Sequence, residues 1–561
     1  MYCKLIAFNG RFMHSCPALF YVRQALDANL PGSRSEIRQQ TINDPYYRTL
    51  RGIAAGEPAA LFFSVYIWNH AYLERLLPDL AELLPATPVV LGGPQAAALA
   101  RELPVAVAAH CTVVSGEIEG VDKSFYRDLA RGGLQRSYSC TKGASFASPY
   151  RAADFAGPLS NRHIYYEASR GCPFACTYCL SGADKGVRHL PVSQVLAEVG
   201  EILRHKPRVL RFVDRTFNVV PERTLAIWRF LAEQPGDTLF HFEMAPDRFN
   251  AEMFRFLEQV GPGRFQFELG VQSTNPDTLA AINRACDLER LRANVTRLAA
   301  LDTIHIHLDL ILGLPHETWK SFRRSFGAVF ALAPHHIQMG LLKVLPDTPL
   351  SRAVDDYGLE FCKKPPYEIL ANRWLAGPDL AELFWFSEVV ETFYNNRFFR
   401  NVWNYLRRSN EDIGAFFAGL QALCRERNFF DLAPTQELMS SLLIELSRGR
   451  PDARLLRELL VFDWLRSGHR FLPPHLEGEP LPDWRKKLQR SMPQNLEGVY
   501  DYRSRDAFFR QGVFVEFSGQ LLQEVGLAAE EQRASVCFQA QREATVFGHS
   551  RVLYLAGRAD T

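Results

Sequence analysis

Residues 164–180 read IYYEASRGCPFACTYCL, and this stretch decides the fold of the middle of the chain. IYYEAS (164–169) has the aromatic and β-branched content of a strand. Behind it Cys172, Cys176 and Cys179 form a C-x3-C-x2-C array on the loop that leaves the strand. A structural zinc site takes four ligands, usually as two pairs, and no second pair lies nearby. Three thiolates suit a [4Fe–4S] cluster with one iron left open, because a cluster held wholly by protein takes four. Half of an intermolecular zinc site is the other reading of the same three residues.

Downstream, VLRFVD (209–214), LFHFEM (239–244), FQFELGV (265–271), IHIHLDLILG (304–313) and HIQMGLLKVL (336–345) continue the series, with helical patterns between them. Six parallel strands predict a partial or full βα (TIM-like) barrel over 161–350, with its chemistry at the C-terminal strand ends. Upstream, KLIAF (4–8), AALFFSVYIW (59–68), PVVLGGP (88–94) and CTVVSGEIEG (111–120) alternate with helical patterns at 17–30 and 71–84. That alternation predicts a doubly wound, Rossmann-like α/β domain over 1–130. Ligands bind such sheets beyond the carboxyl ends of the strands, which is where Asn9, Ser64, Tyr66, Trp68, Gly92, Gly93, Gly116 and Glu117 fall.

Residues 131–160 hold Gly, Ser and Pro without periodicity and read as a linker. Residues 351–561 read as mostly helical, with EGVYDYR (497–503) and SVCFQA (535–540) as strand candidates. Residues 380–408 interleave aromatics with arginines. They read either as a stacking face for substrate or nucleic acid, or as a helix pair with an apolar face on the barrel and a solvated arginine face. His305, His307, His335 and His336 form no recognised ligand pattern, although His307 and Asp309 share one face of a strand.

The 561 residues, 47% apolar and 22% charged, suggest about three or four domains. A net charge of +2 argues against a nucleic-acid partner and leaves a small-molecule or peptide substrate. MYCKLIAFNG reads as a first strand rather than a leader, and the uncharged stretch 83–100 is broken by Pro85, Pro88, Gly92, Gly93 and Pro94. The expectation is a cytoplasmic protein without a membrane span, whose eleven cysteines are mostly reduced thiols.

With the cysteine array, FVDRTFN (212–218), FELGVQS (267–273) and LILGLPHET (310–318) resemble the motifs of the radical S-adenosylmethionine (SAM) superfamily, in the expected order. The resemblance covers about 163–345. It implies that the open iron chelates SAM and that electron transfer cleaves SAM to a 5′-deoxyadenosyl radical. By the same resemblance Tyr178 would lie against the adenine, and Gly313 would form the turn near it. Asp214 and Arg215 would meet SAM's polar end, and Glu243, Glu268, Gln272 and Ser273 would hold its hydroxyls or amino group. Ser273 also has the look of a helix cap.

SVYIWN (64–69), VLGGP (90–94) and SGEIEG (115–120) resemble phrases of the cobalamin-binding, class B radical SAM proteins, and the whole chain resembles their DUF4080-type subgroup. That implies a cobalamin cofactor, an external electron donor such as flavodoxin or ferredoxin, and methyl transfer from methylcobalamin to an unactivated carbon. The D-x-H-x-x-G segment that supplies a lower cobalt ligand in many cobalamin proteins is absent, and His14 has the wrong context for it. The expectation is base-off cobalamin with its lower face toward Tyr66, Ile67 and Trp68. A rearrangement, oxidation or C–C bond reaction without methyl transfer is the second reading. A non-catalytic cobalamin-binding sensor is the third.

Overall fold

In the computed structural model, residues 1–183, 186–477, 490, 504–528, 533–543 and 545–555 are described. The N-terminal sheet is parallel. It contains β1 (Tyr2–Asn9), β2 (Arg34–Thr41), β3 (Ala60–Ser64), β4 (Val89–Gly92), β5 (Cys111–Ser115) and β6 (Ser137–Ser139), in the order β2-β1-β3-β4-β5-β6. Helices cover both faces, so β1 and β3 are buried almost throughout and read as unbroken apolar runs. Lys4 is the polar exception within β1, and its ammonium donates to the carbonyls of Gly52 and Ile53 at the end of helix Tyr46–Ala54.

Two strands of this sheet escape the apolar-run criterion. β2, RSEIRQQT, is a polar edge strand, and β6 is three residues long. β6 lies inside the segment expected to be a linker, which is corrected on this point. That segment also forms helix Ala152–Ala156 and buries Asp154, whose carboxylate takes a two-pronged contact from Arg23 at 2.5 and 2.6 Å.

The second sheet contains β7 (Ile164–Tyr166), β10 (Val209–Phe212), β11 (Leu239–Met244), β12 (Phe265–Gln272), β13 (His305–Leu312) and β14 (His336–Leu341). Its order is β14-β13-β12-β11-β10-β7, parallel throughout, which is an open, partial barrel. The expected strand 164–169 stops at Tyr166. Residues Ser169–Cys172 instead form β8, paired antiparallel with β9 (Gly186–His189). Gly171 allows this switch. It has φ +98°, and a Cβ there would lie 2.2 Å from the Gly186 carbonyl oxygen. Between the barrel strands and their helices Trp228 is fully buried, with Phe267 at 5.3 Å, Phe265 at 5.9 Å and Phe256 at 6.0 Å between ring centres.

The C-terminal region is helical over Gly377–Phe393, Arg400–Arg408, Ile413–Glu426, Gln436–Leu446 and Ala453–Arg466. It also has strands: a short pair, β15 (Glu360–Phe361) and β16 (Ile369–Ala371), and an antiparallel sheet of β17 (Val513–Phe517), β18 (Ala534–Arg542) and β19 (Ser550–Leu555). SVCFQA lies in β18, and EGVYDYR lies outside the described residues. Residues 380–408 are two helices packed on the barrel, with Phe386, Phe393 and Trp403 buried. Their arginines are not simply solvated. Arg407 Nε donates to the Phe330 carbonyl at 2.8 Å, and Arg397 reaches the Pro334 and His335 carbonyls, at the carboxyl end of helix Trp319–Ala331. Among the described residues no helix is long and apolar enough to cross a membrane.

Trp228→Ala removes the largest side chain of the barrel's outer layer. It is expected to cost about 3–5 kcal/mol in a chemical denaturation series.

Candidate functional site

The carboxyl edges of the two parallel sheets converge on one cavity of about 400 Å³. Ser64, Tyr66, Gly92, Gly93, Gly116 and Glu117 line it from the N-terminal sheet. Glu167, Ser169, Arg170, Gly171, Ser181 and Arg215 line it from the barrel. Gly92, the last residue of β4, and Gly93 just after it divide the work. Gly92 meets nothing closer than the Val114 carbonyl at 4.0 Å and leaves room for a ligand. Gly93, at φ +103°, is required by the neighbouring backbone, since a Cβ there would lie 2.6 Å from the Val65 carbonyl oxygen.

Asn9 and Trp68 do not line the cavity, which corrects two expected contacts. Asn9 is buried and donates to Gln39 Oε1 at 3.0 Å. Trp68 stacks on Tyr66 at 4.3 Å and donates its indole N–H to the Phe8 carbonyl. His14 is not among the cavity lining either. Its Nδ1 lies 2.5 Å from the Tyr165 hydroxyl.

The three cysteines lie on the loop that begins at Cys172, the last residue of β8. Backbone contacts fix this loop: Thr177 N–H donates to Ile282 O, Cys179 N–H to Cys176 O, and Leu350 N–H to Thr177 O. Cys176 is buried. Burial pushes the Cys172 thiol up, and Thr216 Oγ1 stands 4.0 Å from its sulfur. Arg284 brings a guanidinium to 3.9 Å from Cys176 Sγ while donating to the Gly270 carbonyl at 2.7 Å. The Tyr178 phenol lies beside Cys176 and Arg284, and burial pushes it above the usual tyrosine range. Arg284 was not singled out in the sequence, because it lies more than 100 residues away from the cysteines that it meets.

Asp214 is corrected as a SAM contact. Its carboxylate is buried and accepts from Ala168 N–H, at 3.0 Å, and from the Ser169 hydroxyl. Burial raises it to about 6 against those hydrogen bonds. Ser273 is corrected in the same way. It is fully buried, donates to Glu317 Oε2 at 2.5 Å and accepts from Asn275 N–H at 3.0 Å, while Asn275 itself caps helix Pro276–Ala281. Gly313 packs under the C-terminal region. A Cβ on it would lie 2.7 Å from Ile369, and its carbonyl accepts from Asn372.

The inner face of the barrel is polar. Glu243, Glu268 and Asp309 occupy successive strands, with Arg211 and Arg215 facing them. Burial raises Glu243 to about 7, although Arg215 lies 3.9 Å away. His241 Nε2, 3.0 Å from Glu268 Oε2, helps hold Glu268 below its usual range in spite of burial. Asp309 is driven far up by burial and by both glutamates, and its Oδ1 has no hydrogen-bond partner among the described residues. Gln272, at the irregular end of β12, has φ +70°.

Comparison with known proteins agrees with this geometry. Residues 166–328 match the radical SAM superfamily, and residues 355–511 match a protein family of unknown function, DUF4080. The chain is 25% identical over 430 residues to a 2-(S-pantetheinyl)-carbapenam-3-carboxylate methyltransferase from Streptantibioticus cattleyicolor, covering 66% of this chain and 62% of the relative. It is 25% identical over 423 residues to the cobalamin-dependent radical SAM methyltransferase TokK from Streptomyces tokunonensis, covering 65% and 61%. The chain thus spans about three fifths of the length of these two relatives. Two solved structures share the fold. The radical SAM methyltransferase TsrM from Kitasatospora setae, with cobalamin and a [4Fe-4S] cluster, superposes with a TM-score of 0.51 at 16% identity, over 65% of this chain and 78% of its own. The cobalamin-dependent radical SAM enzyme OxsB, with aqua-cobalamin and SAM, gives 0.56 at 12% identity, over 94% and 83%.

Asp214→Ala would orphan the Ala168 N–H and Ser169 O–H beneath the cysteine loop. The expected outcome is a loss of about 1–3 kcal/mol in stability and a fall in iron retained per chain after anaerobic reconstitution.

Residues 166–328 of this chain thus match the radical SAM superfamily and residues 355–511 match DUF4080, behind a parallel α/β domain, in a fold shared with TsrM and OxsB.

Proposed function

We propose that this chain is a cobalamin-dependent radical SAM methyltransferase acting on a small-molecule or peptide substrate, with an external one-electron donor. The observation that carries the reading is the cavity between the two sheet edges, which joins the carboxyl edge of the N-terminal sheet to Gly171 and Ser181, the residues that flank the cysteine array. The named relatives are methyltransferases, and TokK is cobalamin-dependent.

The residues fit the implied groups. Cys172, Cys176 and Cys179 offer three thiolates, the donor set for a [4Fe–4S] cluster with one open iron. Arg284, 3.9 Å from Cys176 Sγ, would receive a carboxylate at that iron. Glu243, Gln272 and the unpartnered Asp309 would take SAM's ammonium and hydroxyl groups. Ser64, Tyr66, Gly92 and Gly116 would hold cobalamin at the N-terminal sheet edge, where Gly92 leaves the space. When bound, the cluster and SAM supply the deoxyadenosyl radical, and cobalamin supplies the methyl group. The chain's own work is to orient these groups and keep water out.

Anaerobic reconstitution with hydroxocobalamin, SAM and a strong reductant tests the reading. S-adenosylhomocysteine together with 5′-deoxyadenosine is expected, and deoxyadenosine alone would reject methyl transfer. Cys176→Ala should abolish both products and the cluster's visible absorbance. Glu243 is neutral below about 7 and charged above it. SAM binding by equilibrium dialysis should therefore strengthen by about 3- to 10-fold from pH 6 to pH 8, and E243Q should flatten that rise.

A further inference from the structure

Glu117 was expected to touch a cofactor, yet both of its oxygens are engaged by arginines of the cysteine hairpin. Arg170, two residues before Cys172, is the hub. Its guanidinium lies 3.0 Å from Glu117 Oε2, 2.9 Å from Glu119 Oε1 and 2.7 Å from Glu167 Oε2. It is packed between the Tyr21 and Phe146 rings, at 4.8 and 4.2 Å from their centres, and its side chain is only 11% exposed. Arg188, on the partner strand β9, meets the other oxygen of Glu117 and donates to the Ala144 carbonyl at 2.7 Å.

The acceptors stand on a stiff support. Glu117 and Glu119 belong to the turn after β5, which is held by Thr141 N–H donating to Gly120 O at 2.7 Å and by Cys140 N–H donating to Ser115 O at 2.9 Å. The opposite flank of the junction is tied differently. Arg162, just before β7, donates to the carbonyls of His14 and Gln39 at 2.9 Å each. Both arginines thus reach from the barrel to the N-terminal domain, and Arg170 does so within the cavity lining itself.

We propose that Arg170 is a positioning residue: by gripping Glu117 and Glu119 across the cavity, it fixes the spacing between the cysteine loop and the carboxyl edge of the N-terminal sheet. The proposal rests on the cofactor assignment above. A planar fork held by three carboxylates and clamped between two rings resists both sliding and rotation, which a lysine cannot reproduce. If two reacting groups sit on opposite sides of the cavity, small changes in that spacing carry large costs in rate, while a reaction confined to the barrel side is spared.

Two readouts test this on the full-length chain without a substrate. The first is the ratio of S-adenosylhomocysteine to 5′-deoxyadenosine formed with hydroxocobalamin, SAM and reductant. R170Q should lower it by about tenfold, R170K should regain part of it, and E117Q/E119Q, which leaves the hairpin intact, should lower it too. The second is hydrogen–deuterium exchange of the cofactor-free chain. Exchange should rise over 115–120 and 169–189 in R170Q and in E117Q/E119Q, with the barrel strands unchanged. Equal loss of both products in E117Q/E119Q, or unchanged exchange across the β5 turn in both variants, would overturn the proposal. If R170Q loses its iron, E117Q/E119Q decides. Wild-type chain that forms no S-adenosylhomocysteine would defeat the methyl-transfer reading instead, and the exchange measurement then judges the clamp by itself.

Discussion

The buried carboxylate of Asp214 is the constraint on which the site depends. The first barrel strand cannot simply continue into a loop that bears three cysteines, because Ala168 and Ser169 must turn out of the sheet and their polar groups would be left unpaired. Asp214, at the end of the adjacent strand, takes the Ala168 N–H and the Ser169 hydroxyl together. Arg223 completes the arrangement by donating to the Ala168 carbonyl at 2.9 Å. Enclosing a carboxylate is unfavourable, as its rise to about 6 records, and it persists because it satisfies donors that would otherwise be stranded. The hairpin of β8 and β9 then presents Cys172 at the mouth of the barrel.

A second consequence of that turn is the meeting of two sheet edges. Parallel α/β sheets bind ligands at their carboxyl ends, where helix amino termini and loop backbones converge. Here two such edges face each other, so their ligand positions merge into one cavity. Neither domain encloses it alone. On the polar inner face of the barrel burial pushes Glu243 and Asp309 up, while His241 helps hold Glu268 down. Arg211, Arg215 and His241 stand against these carboxylates.

The parts of this arrangement that were legible in the sequence are those set by local pattern. Strands buried on both faces print unbroken apolar runs, which locate all six barrel strands and four of the N-terminal ones, although β3, β5, β7 and β14 end three to five residues before the expected segments do. β7 was read three residues too long, because the Asp214 lock that ends it is supplied by a residue 48 positions after Tyr166. β2 was missed because an edge strand packed on only one neighbour can be polar. The cysteine spacing carried its own chemistry. Roles of single polar residues at strand ends did not, since Asp214, Ser273 and Asn9 can turn toward a ligand or toward backbone with the same local sequence. Gly93 illustrates the point: glycine was required there, but by the Val65 backbone rather than by a ligand. Arg284 and Arg170 gain their meaning only from partners far along the chain.

The contact of Gly313 with Ile369 reaches beyond packing. The turn that ends β13 lies at the reactive end of the barrel, and its roof is Ile369 and Leu380 of the C-terminal region, with Asn372 bonded to the Gly313 carbonyl. Barrel and C-terminal region therefore cannot be exchanged as independent modules. A recombinant that paired this barrel with a foreign C-terminal region would strip the cover from the turn after β13.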